Sequence, residues 1–229
     1  MVKDPHIKTW SFNRFQDISV LLSTGVLILA VAAVIVTPGW LTFLLLALGV
    51  VIFGVILYFF RDPERTPVRE PGLVVGPADG VVVSIEPFQE GRYLQAETVR
   101  VSMFLSLFDV HVQRAPLEGT VSLVEHQPGK FLQAFKPEAS EVNEYIAMVI
   151  ETEYGRLMVK QISGIMARRC LNYAQPGDWL ETGQRFGHIK FGSRVDLFLP
   201  PHAEILVEVG DKVQGGLTRI ARLQEVQDE

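Results

Sequence analysis

One long part of this chain contains no charged residue, and this pattern predicts its first structural elements. Residues 18–60 contain no Asp, Glu, Lys or Arg. Within them, two apolar runs, 18–36 and 41–60, each have about the 20 residues that a helix needs to cross the hydrocarbon core of a bilayer. The segment Thr37–Trp40 between the runs contains Pro and Gly, which favour a tight reversal, and a Trp typical of membrane interfaces. The pattern therefore predicts a two-helix transmembrane hairpin.

A cleaved signal peptide is the rival interpretation of the first apolar run. Such peptides usually have a shorter apolar region followed by a small-x-small cleavage site. Here a second apolar run follows almost at once, and no cleavage site of that kind is evident. The hairpin is therefore the favoured interpretation.

Basic residues flank the hairpin on both sides and are absent from its turn. They are Lys3, Lys8 and Arg14 before it, and Arg61, Arg65 and Arg69 after it. By the positive-inside rule, both ends face the cytoplasm. We therefore expect a cytoplasmic N-terminal segment (1–17), a membrane hairpin (18–60) and a domain (61–229) on the cytoplasmic side of the inner membrane. Arg61 and Arg65 are expected to meet anionic lipid at the interface.

After residue 60 the pattern changes to short runs rich in Val, Ile, Leu and Phe, separated by Gly and Pro. Such runs predict β-strands. They are 81–85, 99–108, 120–124, 145–151, 157–162, 195–199 and 204–209. Only 130–140 and 164–173 have the character of short helices, and the first contains Pro137.

Two faint internal repeats refine this expectation. A Pro-x-acid-Gly-x-Val pattern occurs at 77–82 and 116–121, and a Gly-Asp-x4-Gly pattern at 177–183 and 210–216. Both resemble the hairpins of biotinyl and lipoyl carrier folds, although no attachment lysine lies in the usual setting. We therefore expect a mainly β fold, with a barrel-sandwich-hybrid-like domain after the hairpin.

Composition narrows the function classes. Of the 21 basic and 26 acidic residues, three basic and two acidic precede residue 61, which leaves 18 basic and 24 acidic in the remainder. An acidic balance disfavours nucleic-acid binding. The single cysteine, Cys170, excludes an internal disulfide and favours a reducing compartment. The five histidines are scattered, so no metal site is expected.

Three residues form the candidate chemistry. Asp79 lies in a Pro-Ala-Asp-Gly turn, His111 at the end of an apolar strand, and Ser193 in a Gly-Ser dipeptide between strands. Each has an ordinary structural explanation when taken alone. Together they suggest an activated serine, but the Gly-x-Ser-x-Gly of a common serine hydrolase is absent. An activated serine in a Gly-Ser pair can instead attack the carbonyl that precedes it.

Several ordered motifs resemble one family. They are the segments 59–65 (FFRDPER), 77–80 (PADG), 104–112 (FLSLFDVHV), 161–164 (QISG) and 191–196 (FGSRVD). Over nearly the whole chain, the sequence closely resembles the short, membrane-anchored form of the phosphatidylserine decarboxylases. The resemblance implies a proenzyme that cuts itself between Gly192 and Ser193 into chains 1–192 and 193–229. It also implies that Ser193 becomes a covalent pyruvoyl cofactor.

The resemblance also implies roles for the candidate residues. His111, oriented by Asp79, would be the base that activates Ser193. The amine of the substrate would form a Schiff base with the pyruvoyl ketone, lose carbon dioxide and receive a proton from His111, giving phosphatidylethanolamine. Longer family forms carry a second histidine where this chain has Arg114, so a division of labour between two histidines does not transfer. His188 and His126 are the reserve candidates.

Four basic residues are candidates for binding the phospholipid headgroup: Arg114, Lys130, Arg168 and Arg169. The expected partners are the membrane phospholipid substrate and the protein's own two chains, with a homo-oligomer left open. Two alternatives stay open as well. One is a membrane-anchored β-fold binding or adaptor module without catalysis, and the other is a decarboxylase of another serine phospholipid such as archaetidylserine.

Overall fold

The structure is a computed structural model that describes residues 18–134, 138–165, 170–189 and 193–224. It begins with helices α1 (Ile18–Val36) and α2 (Trp40–Phe59). They form an antiparallel pair, and a Cβ added at Gly49 would lie 3.7 Å from the side chain of Leu27 and 3.8 Å from that of Ala30. Both helices are long and apolar enough to cross a membrane, and most of their large apolar side chains are exposed. The predicted two-helix hairpin is confirmed.

Strands dominate the rest of the chain. They are β1 (Leu73–Val75), β2 (Gly80–Glu90), β3 (Ala96–Leu105), β4 (Val112–Arg114), β5 (Gly119–Gln127), β6 (Tyr145–Thr152), β7 (Gly155–Ile162), β8 (Cys170–Asn172), β9 (Trp179–Leu180), β10 (Arg185–Ile189), β11 (Ser193–Leu199), β12 (Glu204–Ile205), β13 (Lys212–Val213) and β14 (Arg219–Arg222). One short helix, α3 (Ala139–Val142), precedes β6. The predicted mainly β fold is confirmed.

The strands form one large sheet and two small ones. The eight-stranded sheet has the order β13-β2-β3-β11-β7-β6-β5-β9 and curls into a half-barrel. The small sheets have the orders β1-β14-β12 and β4-β10-β8. All strand pairs are antiparallel. The main core includes Met103, Val195, Leu197 and Phe186, with contributions from all three sheets.

The chain divides into two compact units after Pro63. The helical hairpin belongs to one unit and all the strands to the other. The β unit begins at Glu64, three residues beyond the predicted domain start at Arg61.

Two local predictions were wrong. In the expected helix 164–173, residues 170–172 form β8, because Leu171 and Asn172 pair with His188 and Gly187 of β10. In the expected helix 130–140, residues 130–134 are not helical, whereas Ala139–Val142 forms α3, and residues 135–137 lie outside the described residues. Residues 170–172 found hydrogen-bond partners in β10, and the local sequence does not reveal that pairing.

Five neighbouring strands of the large sheet each have one terminus at the same end of the sheet. The register pairs Ser193 with Leu105, Arg194 with Ile162, and Tyr145 with both Ile162 and Gln127. The ends of β3, β7 and β5 therefore lie beside the starts of β11 and β6. We call this the Ser193 end of the sheet.

Candidate active site

Ser193 is the first residue of β11, and its environment is unusual for a hydroxyl. The residue is fully buried, at 0% exposure, and its Oγ has no hydrogen-bond partner among the described residues. Ser193 alternates with Val195 and Leu197, so its side chain lies on the face of β11 that meets the main core. Leaving a buried hydroxyl unpaired costs about 1–3 kcal/mol. Such a cost calls for a functional explanation.

Asp79 lies in the turn that leads into β2, two strands away from Ser193. The next residue, Gly80, has φ +152°, and a Cβ there would lie 2.3 Å from the carbonyl oxygen of Phe104. Only glycine therefore lets this turn approach β3 so closely. Since Phe104 and Leu105 are adjacent and Leu105 pairs with Ser193, the turn brings Asp79 to the Ser193 end of the sheet.

The carboxylate of Asp79 is held by an arginine that the sequence reasoning had placed at the lipid interface. Arg65 donates from Nη1 to Oδ1 (2.6 Å) and from Nη2 to Oδ2 (2.8 Å). The backbone N–H of Gly215 also donates to Oδ1, at 2.8 Å. The Arg65 and Asp79 side chains are only 8% and 11% exposed. The expectation that Arg65 meets lipid was therefore wrong.

Removing this arginine should destabilise the β unit strongly. Arg65→Ala leaves the Asp79 carboxylate buried without its cationic partner, which typically costs about 3–5 kcal/mol. We expect that loss in denaturant unfolding of a Ser193→Ala background, which keeps the chain in one piece. The matched control is Arg69→Ala, because the Arg69–Glu181 pair has side chains 60% and 52% exposed and should contribute about 1 kcal/mol or less. Equal losses in the two variants would contradict the assignment of a buried ion pair.

His111 is buried and has a defined orientation. Its Nδ1 lies 2.9 Å from the backbone carbonyl oxygen of Asp109. A carbonyl oxygen only accepts, so in the neutral ring Nδ1 carries the hydrogen and Nε2 carries the lone pair. The backbone oxygen of His111 accepts from the N–H of Ile189, four residues before Ser193. Nε2 is therefore the atom of His111 that can act as a base.

The structure brings the three predicted residues to one region but does not pair them as expected. Among the described residues, no hydrogen bond joins Asp79 to His111. Asp79 bonds to Arg65 and Gly215, and the carbonyl of Asp109 takes the orienting position at His111. The sequence reasoning missed Asp109, although it lies two residues before His111 in the same motif.

The reserve histidines differ in environment. His188 is buried in β10, where its Nδ1 lies 2.9 Å from the hydroxyl of Tyr173. His188 pairs in register with Val112, the residue after His111. His126 is 52% exposed in β5 and lies 3.1 Å from Glu144. His188 therefore stays a candidate base, whereas His126 belongs to the surface.

The candidate headgroup residues are also unlike one another. Arg114 is buried and donates to the carbonyl of Gly183 at 3.2 Å, while its own N–H donates to the carbonyl of Pro77. Lys130 is exposed and follows the end of β5. Gly192, Arg168 and Arg169 lie outside the described residues. Among the described residues, no three His, Cys, Asp or Glu side chains group closely enough to hold a metal ion.

A polar network on the other face of β11 fixes the residues that follow Ser193. Arg194 Nε donates to Asp196 Oδ1 at 2.6 Å, and Ser140 Oγ donates to Asp196 Oδ2 at 2.7 Å. Lys160 Nζ donates to the carbonyl of Ser140 at 2.6 Å and lies over the ring of Tyr145. Burial lowers the pKa of Lys160 from 10.5 to about 8, although the nearby carboxylate of Asp196 opposes the shift.

This pKa predicts a pH dependence of stability. The folded protein releases the Lys160 proton near pH 8, whereas the unfolded chain keeps it until about pH 10.5. Stability should therefore rise between those pH values, by up to about 3 kcal/mol relative to Lys160→Met. Denaturant unfolding at both pH values measures the difference, and the exposed Lys212→Met is the control. An unchanged difference across this window would contradict the buried charge at Lys160.

Fold and site together define a mainly β protein that carries two apolar helices and a buried serine at a strand start. The family model of phosphatidylserine decarboxylase matches residues 52–221. The chain therefore belongs to the phosphatidylserine decarboxylase family.

Individual relatives agree over most of their length. A phosphatidylserine decarboxylase proenzyme of Carboxydothermus hydrogenoformans is 43% identical over 205 residues, which cover 89% of this chain and 93% of that protein. The proenzyme of Symbiobacterium thermophilum is 45% identical over 183 residues, covering 78% and 85%. That of Streptomyces coelicolor is 51% identical over 166 residues, covering 72% of each.

Proposed function

We propose that this protein decarboxylates phosphatidylserine to phosphatidylethanolamine and makes its pyruvoyl group from Ser193. The observation that carries the proposal is the Ser193 hydroxyl, buried without a hydrogen-bond partner among the described residues. It lies directly after the Gly192–Ser193 bond, in a chain whose relatives are named proenzymes. A reactive group explains why a fold would retain an unpaired buried hydroxyl.

Self-processing begins with the serine. The proposed base, His111 Nε2, takes the Oγ proton of Ser193, and Oγ attacks the carbonyl carbon of Gly192. The C–N bond breaks, the nitrogen of Ser193 takes up the proton, and an ester remains. A base then takes the Ser193 Cα proton, a double bond forms between Cα and Cβ, and the Cβ–Oγ bond breaks, so that chain 1–192 leaves with Oγ in its C-terminal carboxylate. The dehydroalanine left on residue 193 adds water and loses ammonia, which gives the ketone.

The surroundings of residue 193 suit a pyruvoyl group. Residue 193 is fully buried at the start of β11, which lies between β3 and β7, so the residue is kept from bulk water. The pyruvoyl group would supply the sink for the electrons that the departing carbon dioxide leaves behind. His111 is the proposed acid that delivers a proton to the substrate carbon.

We also propose which residues bind the headgroup of the phospholipid substrate. Arg114, Lys130, Arg168 and Arg169 are the proposed contacts to the phosphate and carboxylate of the substrate. Lys130 has the exposure that such a contact needs, whereas Arg114 lies within the fold, near the Asp79 turn. Asp79 is proposed to act in the same site while paired with Arg65.

The two chains made by cleavage should remain one folded unit. Chain 193–229 would contribute β11 between β3 and β7, β13 beside β2, and β14 beside β1. Every residue of β11 is buried. These contacts support association of the chains under native conditions, with separation only in denaturant.

We place the protein in the inner membrane with its β unit on the cytoplasmic side. The two apolar helices and the basic residues that flank them support this topology. Protease added outside intact spheroplasts should leave the β unit uncut, and digestion there would contradict the orientation.

The direct test of the activity uses the full chain in vesicles that contain phosphatidylserine labelled in its serine carboxylate. Wild type should release labelled carbon dioxide, and Ser193→Ala should release none. A second set of vesicles carries an ether-linked serine phospholipid, which tests the archaetidylserine alternative. Absence of release from both lipids by a fully cleaved wild type would overturn the proposed activity and favour a binding module.

A further inference from the structure

Exposed apolar side chains form a rim at the Ser193 end of the sheet. They are Leu107, Phe108, Phe131, Leu132 and Ile165, and we call them the apolar rim. Phe108 is 72% exposed and Ile165 is 55% exposed, while the other three are between 36% and 40% exposed. Groups of exposed apolar residues on the surface of a soluble domain usually mark a binding surface.

The register of the sheet places all five residues at the same end. Leu107 and Phe108 follow the end of β3, Phe131 and Leu132 follow β5, and Ile165 follows β7. Those three strand ends lie beside Ser193 and Tyr145, the starts of β11 and β6. The strands of a sheet are about 4.8 Å apart, so the rim extends about 20 Å along this end, which includes the candidate active site.

Hydrogen bonds fix the segments that carry the rim. Asn143 donates from Nδ2 to the carbonyls of Leu132 (2.9 Å) and Ser163 (2.8 Å), and its Oδ1 accepts from the N–H of Leu132 (2.8 Å). On the other side of β11, the carboxylate of Asp109 accepts from the N–H of Ser106 at 2.7 Å and closes the turn that displays Phe108. The outward position of these side chains is therefore part of the folded structure.

We infer that the apolar rim inserts into the surface of a phospholipid bilayer, so that the Ser193 end of the sheet meets lipid headgroups without the substrate leaving the membrane. The inference rests on the proposed function, because a lipid substrate gives a reason for exposed apolar side chains at the same end of the sheet as Ser193. Apolar rings inserted at the headgroup boundary, with cations beside them, are typical of surfaces that bind membranes. Lys130 is exposed and directly precedes Phe131, which suits an anionic lipid surface.

The connection to the helices favours a bilayer over a protein partner. Residues 60–63 are the whole link between α2 and the β unit that begins at Glu64. Arg65 then fixes the chain beside Asp79, at the same end of the sheet as the rim. A membrane that takes up α2 is covalently tied to this end of the domain, whereas a protein partner would have to be recruited.

The experiment measures the polarity around the apolar rim in the full chain. Single cysteines are placed by Phe108→Cys and Ile165→Cys in the rim, and by Glu97→Cys at the far end of β3. Each is labelled with a polarity-sensitive fluorophore in vesicles of phosphatidylcholine and phosphatidylserine. Native Cys170 is buried, and burial raises the pKa of its thiol, so it should label slowly.

Insertion predicts that the rim labels emit at shorter wavelength, resist quenching by aqueous iodide and are quenched by lipids that carry a nitroxide. The Glu97 label should behave as in water. Rim labels that match the Glu97 label would overturn the inference. A shift that depends on the protein-to-lipid ratio would also overturn it, since it would indicate a second copy of the chain on this surface.

An activity measurement then connects the surface to turnover. Phe108→Asp should lower the ratio of turnover on bilayer phosphatidylserine to turnover on a dispersed short-chain analogue by about tenfold or more, because a charge resists insertion. Trp179→Asp, at an exposed apolar position on the far side of the sheet, should leave the ratio unchanged. An unchanged ratio for Phe108→Asp would contradict the inference. The label measurement needs no activity, so failure of the proposed decarboxylation would be recognised separately.

Discussion

Ser193→Ala is expected to remain one chain of 25.6 kDa and to have no decarboxylase activity. The substitution removes the only atom of residue 193 that can attack the Gly192 carbonyl, so neither cleavage nor the pyruvoyl group can form. It also removes a buried hydroxyl that lacks a hydrogen-bond partner among the described residues. The folded domain should therefore be as stable as the wild-type proenzyme or slightly more so. A denaturing gel and an activity assay on the same sample measure both effects.

A second buried serine provides the matched control. Ser163 is also fully buried at the Ser193 end of the sheet, but its Oγ donates to the carbonyl of Glu144 at 2.9 Å. Ser163→Ala should lose about 1 kcal/mol of stability and still cleave. Ser193→Cys and Ser193→Thr retain a nucleophile and should cleave slowly. Cleavage of Ser193→Ala at the wild-type rate would refute the assignment of Ser193.

Replacing His111 with Gln should slow self-cleavage by about 10²–10⁴-fold, the usual contribution of a general base. The glutamine amide can still donate to the Asp109 carbonyl, but it cannot take the serine proton. The time course of cleavage after synthesis or refolding, followed on a gel, measures the rate.

Two other histidines make this prediction specific. His126→Gln should cleave normally, since His126 is half exposed and faces Glu144. His188→Gln tests the buried alternative, whose Nδ1 contacts the hydroxyl of Tyr173. If His188→Gln blocks cleavage while His111→Gln does not, the base is His188 and the assignment of His111 is wrong.

The sequence predicted the elements whose pattern is local. The helices α1 and α2 follow directly from two uncharged runs, and every run predicted as a strand overlaps an observed one. Ser193 was found from a dipeptide and its surrounding motif. Such features depend on residues that are near one another in the chain, so periodicity and short motifs suffice to find them.

The partners of the site residues could not be predicted in the same way. Arg65 and Gly215 reach Asp79 from positions 14 residues before it and 136 residues after it. Tyr173 reaches His188 only because β8 and β10 pair, where a helix had been expected. The sequence lists charged and polar residues, but the choice among partners depends on which loops the sheet brings together. Asp109 was within the recognised motif, yet it orients His111 with a backbone oxygen that no side-chain pattern reveals.

Mass spectrometry of the wild-type protein under denaturing conditions tests whether Ser193 becomes the pyruvoyl group. We expect two chains, residues 1–192 and 193–229. The small chain should be lighter by one ammonia than its sequence with an N-terminal serine, and it should lack a free amino terminus. One uncut chain of 25.6 kDa, or a small chain that still begins with serine, would contradict the claim that Ser193 becomes the pyruvoyl group.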